Sequence, residues 1–128
     1  MLEGNFFDIQ SFTTDESEAN LQQSLATVSL NINHPIYNGH FPGNPVVPGV
    51  CQVQMVKELA EHACSQALNL RESDNIKFLS MINPMQNSIL EFSILIKPIG
   101  EKQISVTASI GSGSLVFFKF KGKFEAAA

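Results

Sequence analysis

His40 is the side chain in this sequence best placed for acid–base chemistry. It opens the stretch His40-Phe41-Pro42-Gly43-Asn44-Pro45-Val46-Val47-Pro48-Gly49-Val50, in which three prolines within seven residues lock the backbone into one extended path. Gly43 and Gly49 supply a positive φ or a close backbone approach. Gly49 falls at the start of a predicted helix, where N–H groups without intrahelical partners and the helix dipole favour partial negative charge. A histidine held by a rigid loop beside such donors suits a general base next to an oxyanion site. Loop histidines are more often structural or solvated, so spacing alone leaves both readings open.

The other reactive side chains are less suggestive. His34 and Tyr37 flank the stretch and read as turn material, while Glu61 and His62 read as a solvated helix face. His34, His40 and His62 lack an Asp/Glu/His cluster at ligand spacing, so no metal or other cofactor is expected. Cys51 and Cys64, thirteen residues apart, match neither a CxxC pair nor a zinc spacing and read as free thiols.

Positioning His40 and Gly49 requires a helix and a sheet. Residues 34–49 carry four of the six prolines and three of the eight glycines. After them the spacing predicts one long helix from about Pro48 to Leu70, with Pro48 suited to its first turn. Val53, Val56, Ala60, Ala63, Cys64 and Ala67 share one side; Gln54, Glu58, Glu61, Ser65 and Asn69 share the other. The apolar side is small, which lets a sheet curl closely around it. Gln52 lies in the apolar sector, where an unpaired amide costs on the order of a few kcal/mol. It should find a partner in the backbone of the proline-rich turn, unless the helix has not yet wound there.

Strands are predicted over Leu25–Ile32, Ile76–Ile82, Ser88–Ile96, Gln103–Ile110 and Leu115–Phe124, separated by turn material such as Asn83-Pro84 and Gly111-Ser112-Gly113-Ser114. That order is α+β, a long helix held in an antiparallel sheet. Alternation along the last strand sets Lys119, Lys121 and Lys123 opposite Phe118, Phe120 and Phe124. Ile89, Phe92, Ile94 and Ile96 are expected to leave apolar side chains on both sheet faces, more than one helix can cover.

Composition bounds the rest. The 128 residues are expected to fold as a single domain, 1–128, around one core. A 44% hydrophobic and 16% charged chain is globular rather than disordered. A net charge of −4, from 8 Lys+Arg against 12 Asp+Glu, argues against nucleic acid as a partner. The start, MLEGNFFDIQ, has no basic n-region, and the longest apolar run, Leu115 to Phe118, is far short of the roughly 20 residues that cross a bilayer. A cytoplasmic protein without a membrane span is expected.

The stretch HFPGNPVVPGV closely resembles the HFPGxPxxPGV signature of bacterial 3-hydroxyacyl-acyl carrier protein dehydratases, the FabZ/FabA-like group. The resemblance implies the hot-dog fold, a long central helix wrapped by an antiparallel sheet. It implies that His40 handles the proton at C2 of a 3-hydroxyacyl thioester, and that the Gly49 N–H binds the thioester carbonyl. Phe41 and Val50 would join Gly49 as substrate-binding residues. An acyl carrier protein would deliver the substrate to a homodimer, or to a heterodimer with a paralogue, in fatty-acid or polyene-type lipid synthesis. The family places a Glu or Asp fourteen residues after the histidine, as the acid assisting departure of the 3-hydroxyl. Here that position is Gln54, whose amide can hold a hydroxyl but cannot deliver a proton at neutral pH. The nearest helix carboxylate, Glu58, is one turn, ~5.4 Å, further along.

Three functions fit these observations. The first is a dehydratase-like lyase with Gln54 beside His40 in its catalytic site. The second is a non-catalytic or half-site subunit of a heterodimer. The third is an acyl thioesterase, since hot-dog proteins host that reaction too.

Overall fold

The computed structural model describes residues 1–18, 20–39 and 43–127. Six strands form one antiparallel sheet: β1 (Phe7–Glu18), β2 (Leu21–Leu30), β3 (Leu68–Phe78), β4 (Ile89–Pro98), β5 (Gln103–Ser112) and β6 (Leu115–Ala126), in the order β1-β2-β4-β5-β6-β3. Between β2 and β3 lie a single turn, α1 (Ile36–Gly39), and the long helix α2 (Gly49–Cys64).

Period-two alternation makes the inner face of the sheet. Ala26, Val28 and Leu30 of β2, Leu90, Phe92, Ile94 and Ile96 of β4, and Val106, Ala108 and Ile110 of β5 are all buried. Phe118, Phe120 and Phe124 continue that face on β6, with successive rings 6.4 and 6.0 Å apart. Each fully buried phenylalanine contributes roughly 1.5–3 kcal/mol of apolar transfer. Lys119, Lys121 and Lys123 stand on the opposite face, as the alternation predicts. Phe92, Ile94 and Ile96 share the covered face, and only Ile89, 47% exposed, is open to water. Apolar side chains thus stand on both faces of β4, as expected, with Ile89 and the half-buried Leu95 on the outer one.

Helix α2 packs against this face through Cys51, Gln52, Met55, Val56, Leu59 and Ala60. The predicted stripe held Val56 and Ala60 but missed Met55 and Leu59, both fully buried. These large side chains gain most from burial, so they set the helix's rotation rather than the small residues further along. The helix is also shorter than predicted. Ser65 adopts a left-handed conformation (φ 56°) and the Glu61 carbonyl accepts its N–H, which ends the helix. The Glu61 carboxylate then accepts the Leu68 N–H at 2.8 Å, where β3 begins. Glu58, assigned to the solvated side, is only 6% exposed.

Two strands differ from the expectation. β1 was not anticipated, because FDIQSFTTDESE is acidic and weakly alternating; it forms as the first arm of a hairpin closed at Glu18 and Leu21. β3 covers Leu68–Phe78 rather than Ile76–Ile82, and past Leu68 every one of its residues is exposed. Its support comes from β6 and from ion pairs across that pairing: Lys123 to Glu72 (2.9 Å) and Asp74 (3.5 Å), and Arg71 to Glu125 (3.3 Å). Residues 79–82 leave the sheet to meet the proline-rich turn, where the Val47 N–H donates to the Ile82 carbonyl at 2.9 Å.

Candidate active site

The start of α2 is open. Pro48 precedes the helix in an extended conformation (φ −61°, ψ 145°) and no side chain among the described residues caps it. Its carbonyl accepts the N–H groups of Cys51 (3.0 Å) and Gln52 (3.2 Å). The N–H groups of Gly49 and Val50 find no acceptor among the described residues. They are the donors that a helix start offers to an oxygen bearing negative charge.

A cavity of about 700 Å³ lies against this helix start, lined by Val46–Gly49, Gln52 and Phe78–Met81. The Phe78 ring forms one wall, resting on Phe118 with centroids 5.1 Å apart. A Cβ at Gly49 would stand 2.8 Å from that ring, so glycine lets the ring lie directly over the first helical residue. Gly43 has φ +83°, the positive value that its place between prolines suggests. The sequence flagged both glycines and placed Phe78 in a strand, Ile76–Ile82, but nothing in it set that ring against Gly49.

Gln52 behaves as its sequence position requires. It is 3% exposed, and its amide donates to the Val47 carbonyl at 3.2 Å. This bond ties the helix to the proline-rich turn and fixes the cavity floor. Its Oε1 is buried without a partner among the described residues.

The catalytic assignment to His40 and the binding assignment to Phe41 fall outside the described residues. Of the remaining assignments, Gly49 lines the cavity, while Val50 is 77% exposed and does not. Gln54 is not among the cavity residues either. Five residues after Gly49, it sits about 140° around the helix. Its Nε2 donates to Glu58 Oε2 at 2.8 Å. Glu58 also accepts the backbone N–H groups of Leu2 (Oε2, 2.7 Å) and Glu3 (Oε1, 2.8 Å). The i, i+4 spacing of Gln54 and Glu58 was visible in the sequence; the burial of Glu58 under the N-terminal segment was not.

The other candidates are structural. His34 Nδ1 accepts the Ile36 N–H at 3.1 Å, and its ring meets Phe6 edge-on. His62 is exposed with its ring 4.5 Å from Phe12. Burial pushes the Cys51 and Cys64 thiols up, away from the reactive thiolate. Burial, with a smaller contribution from Cys51, also raises the Tyr37 hydroxyl, so it holds its proton. Among the described residues no group of three or more His, Cys, Asp or Glu gathers as a metal site, and no helix is long and apolar enough to cross a membrane.

A family model for ApeI-like dehydratases matches residues 15–114, a span that takes in the whole His40–Val50 stretch, Gln54 and Glu58. The chain belongs to the ApeI-like dehydratase family. The 3-hydroxyacyl-[acyl-carrier-protein] dehydratase FabZ of Acetivibrio thermocellus is 30% identical over 99 residues, covering 70% of this chain and 66% of that protein. The chain thus spans just under two thirds of that relative. Among solved structures, an uncharacterized protein from Erwinia carotovora subsp. atroseptica matches with TM-score 0.68 at 22% identity, covering 93% of this chain and 94% of the other. The dehydratase heterocomplex ApeI:P from Xenorhabdus doucetiae matches with TM-score 0.63 at 15% identity, covering 91% and 96%. At those identities the likeness establishes the fold. It is the hot-dog fold, α2 wrapped by the six-stranded sheet.

Proposed function

We propose that this chain carries a dehydratase site for 3-hydroxyacyl thioesters delivered on an acyl carrier protein. The observation that carries the reading is the apolar cavity against the helix start at the end of HFPGNPVVPGV, where no described side chain caps the helix. A thioester carbonyl at the Gly49 and Val50 N–H groups would develop enolate-like charge as C2 loses its proton. Fixed donors stabilise that state more than the ground state. His40 takes the C2 proton; the C3–O bond breaks as the C2=C3 bond forms. The imidazolium can then return the proton to the departing hydroxyl, so that water leaves. Gln54 lies outside this cavity, about 140° around α2 from Gly49, so it holds the 3-hydroxyl, without supplying a proton, in a site that a second chain completes. The lack of a carboxylic acid there lowers the rate by about 10²–10⁴-fold relative to a site that has one.

A second reading has its own support. Gln54 already gives a hydrogen to Glu58, and the β3 edge is exposed along its length. Both features suit a subunit that completes its site with a second chain, either a copy of itself or a paralogue bearing Glu or Asp at the position of Gln54. One assay separates the readings. Purified protein is given a 3-hydroxyacyl thioester while enoyl absorbance and free thiol are followed together. Enoyl product marks a lyase, and free thiol a thioesterase. Neither product, with activity restored by a paralogous subunit, marks a half-site.

A further inference from the structure

Of the residues that line the cavity, Gln52 is the one buried polar side chain, and it has a hydrogen-bonding atom left over. It is 3% exposed, and its Oε1 meets no donor among the described residues. Buried polar atoms in folded proteins nearly always have a partner, so an orphaned acceptor in a cavity wall marks where a donor arrives.

Turning the amide over would not satisfy that oxygen. Its Nε2 donates to the Val47 carbonyl at 3.2 Å, and a flipped amide would set Oε1 against that carbonyl, acceptor against acceptor. Val47 is held in turn, 1% exposed and with its N–H donating to the Ile82 carbonyl at 2.9 Å. The nitrogen is thereby committed to the proline-rich turn, and the oxygen is left as an acceptor. The same bond fixes the level of the amide. Helical side chains lean toward the N-terminus, and this one reaches back to a residue two before Gly49. The amide therefore stands alongside the Gly49 and Val50 N–H groups, which find no acceptor among the described residues. One wall carries donors for a carbonyl oxygen and, beside them, an acceptor for an N–H.

We propose that Gln52 Oε1 accepts the first amide N–H of the thiol arm that carries the acyl group, which makes Gln52 a specificity-determining residue for that arm. The inference rests on the acyl-site reading above and concerns the thiol side of the ligand. In an arm of the pantetheine type, two methylenes separate the thioester sulfur from an amide nitrogen. That nitrogen lies about 5 Å from the thioester oxygen, close to the ~4.5 Å rise between Gly49 and Gln52. The terminal torsion of a glutamine is broad, so a small rotation turns Oε1 to the ligand while Nε2 keeps Val47. A buried acceptor with no water to give up gains more from the new bond than an exposed one does.

The test uses the full chain and two thioether ketones, S-(2-oxohexyl)-N-acetylcysteamine and S-(2-oxohexyl)-2-mercaptoethyl acetate. Neither can eliminate water or be hydrolysed as a thioester, and they differ only in an N–H against an ester oxygen. Ligand-observed NMR titration reads both affinities. Wild type is expected to bind the amide probe about three- to tenfold more tightly, the scale of one hydrogen bond. Gln52→Leu should bring the ratio to about one, and so should Gln52→Met, which keeps the volume should the leucine variant fail to fold. Ser80→Ala alters the other polar side chain of the wall and should keep the ratio. A purely structural Gln52 would weaken both probes by the same factor and leave the ratio unchanged. That result, equal binding of the two probes by wild type, or loss of the ratio in Ser80→Ala would overturn the role of Gln52 and leave the acyl site standing. A wild type that binds neither probe would overturn the acyl-site reading with it.

Discussion

At position 54 the neighbouring carboxylate decides what a substitution would do. Gln54→Glu would set a second carboxyl group against Glu58 Oε2, in a contact now closed at 2.8 Å by an amide hydrogen. Two carboxylates that close cannot both ionise readily, so they would share a proton whose pKa lies above the usual carboxylate range. The variant would thereby gain an acid that remains protonated nearer neutral pH. Enoyl formation is expected to rise, by up to about 10²-fold where geometry is favourable, and to fall again as pH increases through that raised value. A pH–rate profile checks this. The sign for stability is the same: the folded variant binds its proton more tightly than the unfolded chain. It should therefore be most stable at low pH and lose that stability as pH rises. A variant whose thermal midpoint relative to wild type is independent of pH would count against the shared proton.

Strands separate what was legible from what was not. β2, β4, β5 and β6 bury alternate apolar side chains against α2, and that alternation is written in their residues. β3 has no such pattern, because past Leu68 all of its residues are exposed. Its place is set by β6 and by charges across the pairing, which no single-strand periodicity contains. The predicted strand Ile76–Ile82 held Phe78, but not the contact by which β3 delivers its ring to the cavity. The HFPGNPVVPGV stretch, by contrast, exposed Gly49 through residue identities alone. Those charges also refine the lysine face of β6. The hydrogen bond to Glu72, then the charge of Asp74, raises the Lys123 ammonium, so its charge is largely offset. Lys119 and Lys121 face Lys77 and Asn75 across the pairing, a patch fit for an acidic carrier protein. Lys119→Glu/Lys121→Glu should weaken turnover of a carrier-linked substrate severalfold while sparing a small thioester, and Lys123→Glu should do so less. Equal losses on both substrates would argue against docking there.

For the whole molecule, one group of exposed apolar residues lies where the site is open. Phe78, Leu79 and Met81, 52–76% exposed, line the cavity at the end of β3, and Ile76 and Leu70 lie along that strand. A long unpaired edge beside an apolar cluster is a surface that another chain covers. Sedimentation at micromolar concentration is expected to give at least twice the mass of one 14.0 kDa chain, or to do so once a paralogous subunit is added. A stable single-chain mass under both conditions would contradict an assembled site. The central claim is that His40, beside the Gly49 helix start, removes water from a 3-hydroxyacyl thioester. Its most direct test is enoyl absorbance from a 3-hydroxyacyl thioester, with wild type, Gln54→Glu and His40→Ala compared side by side, each with and without a paralogous subunit. The expected result is slow or partner-dependent formation by wild type, faster formation by Gln54→Glu and none by His40→Ala. Undiminished enoyl formation by His40→Ala, or free thiol appearing in place of the enoyl product, would contradict it.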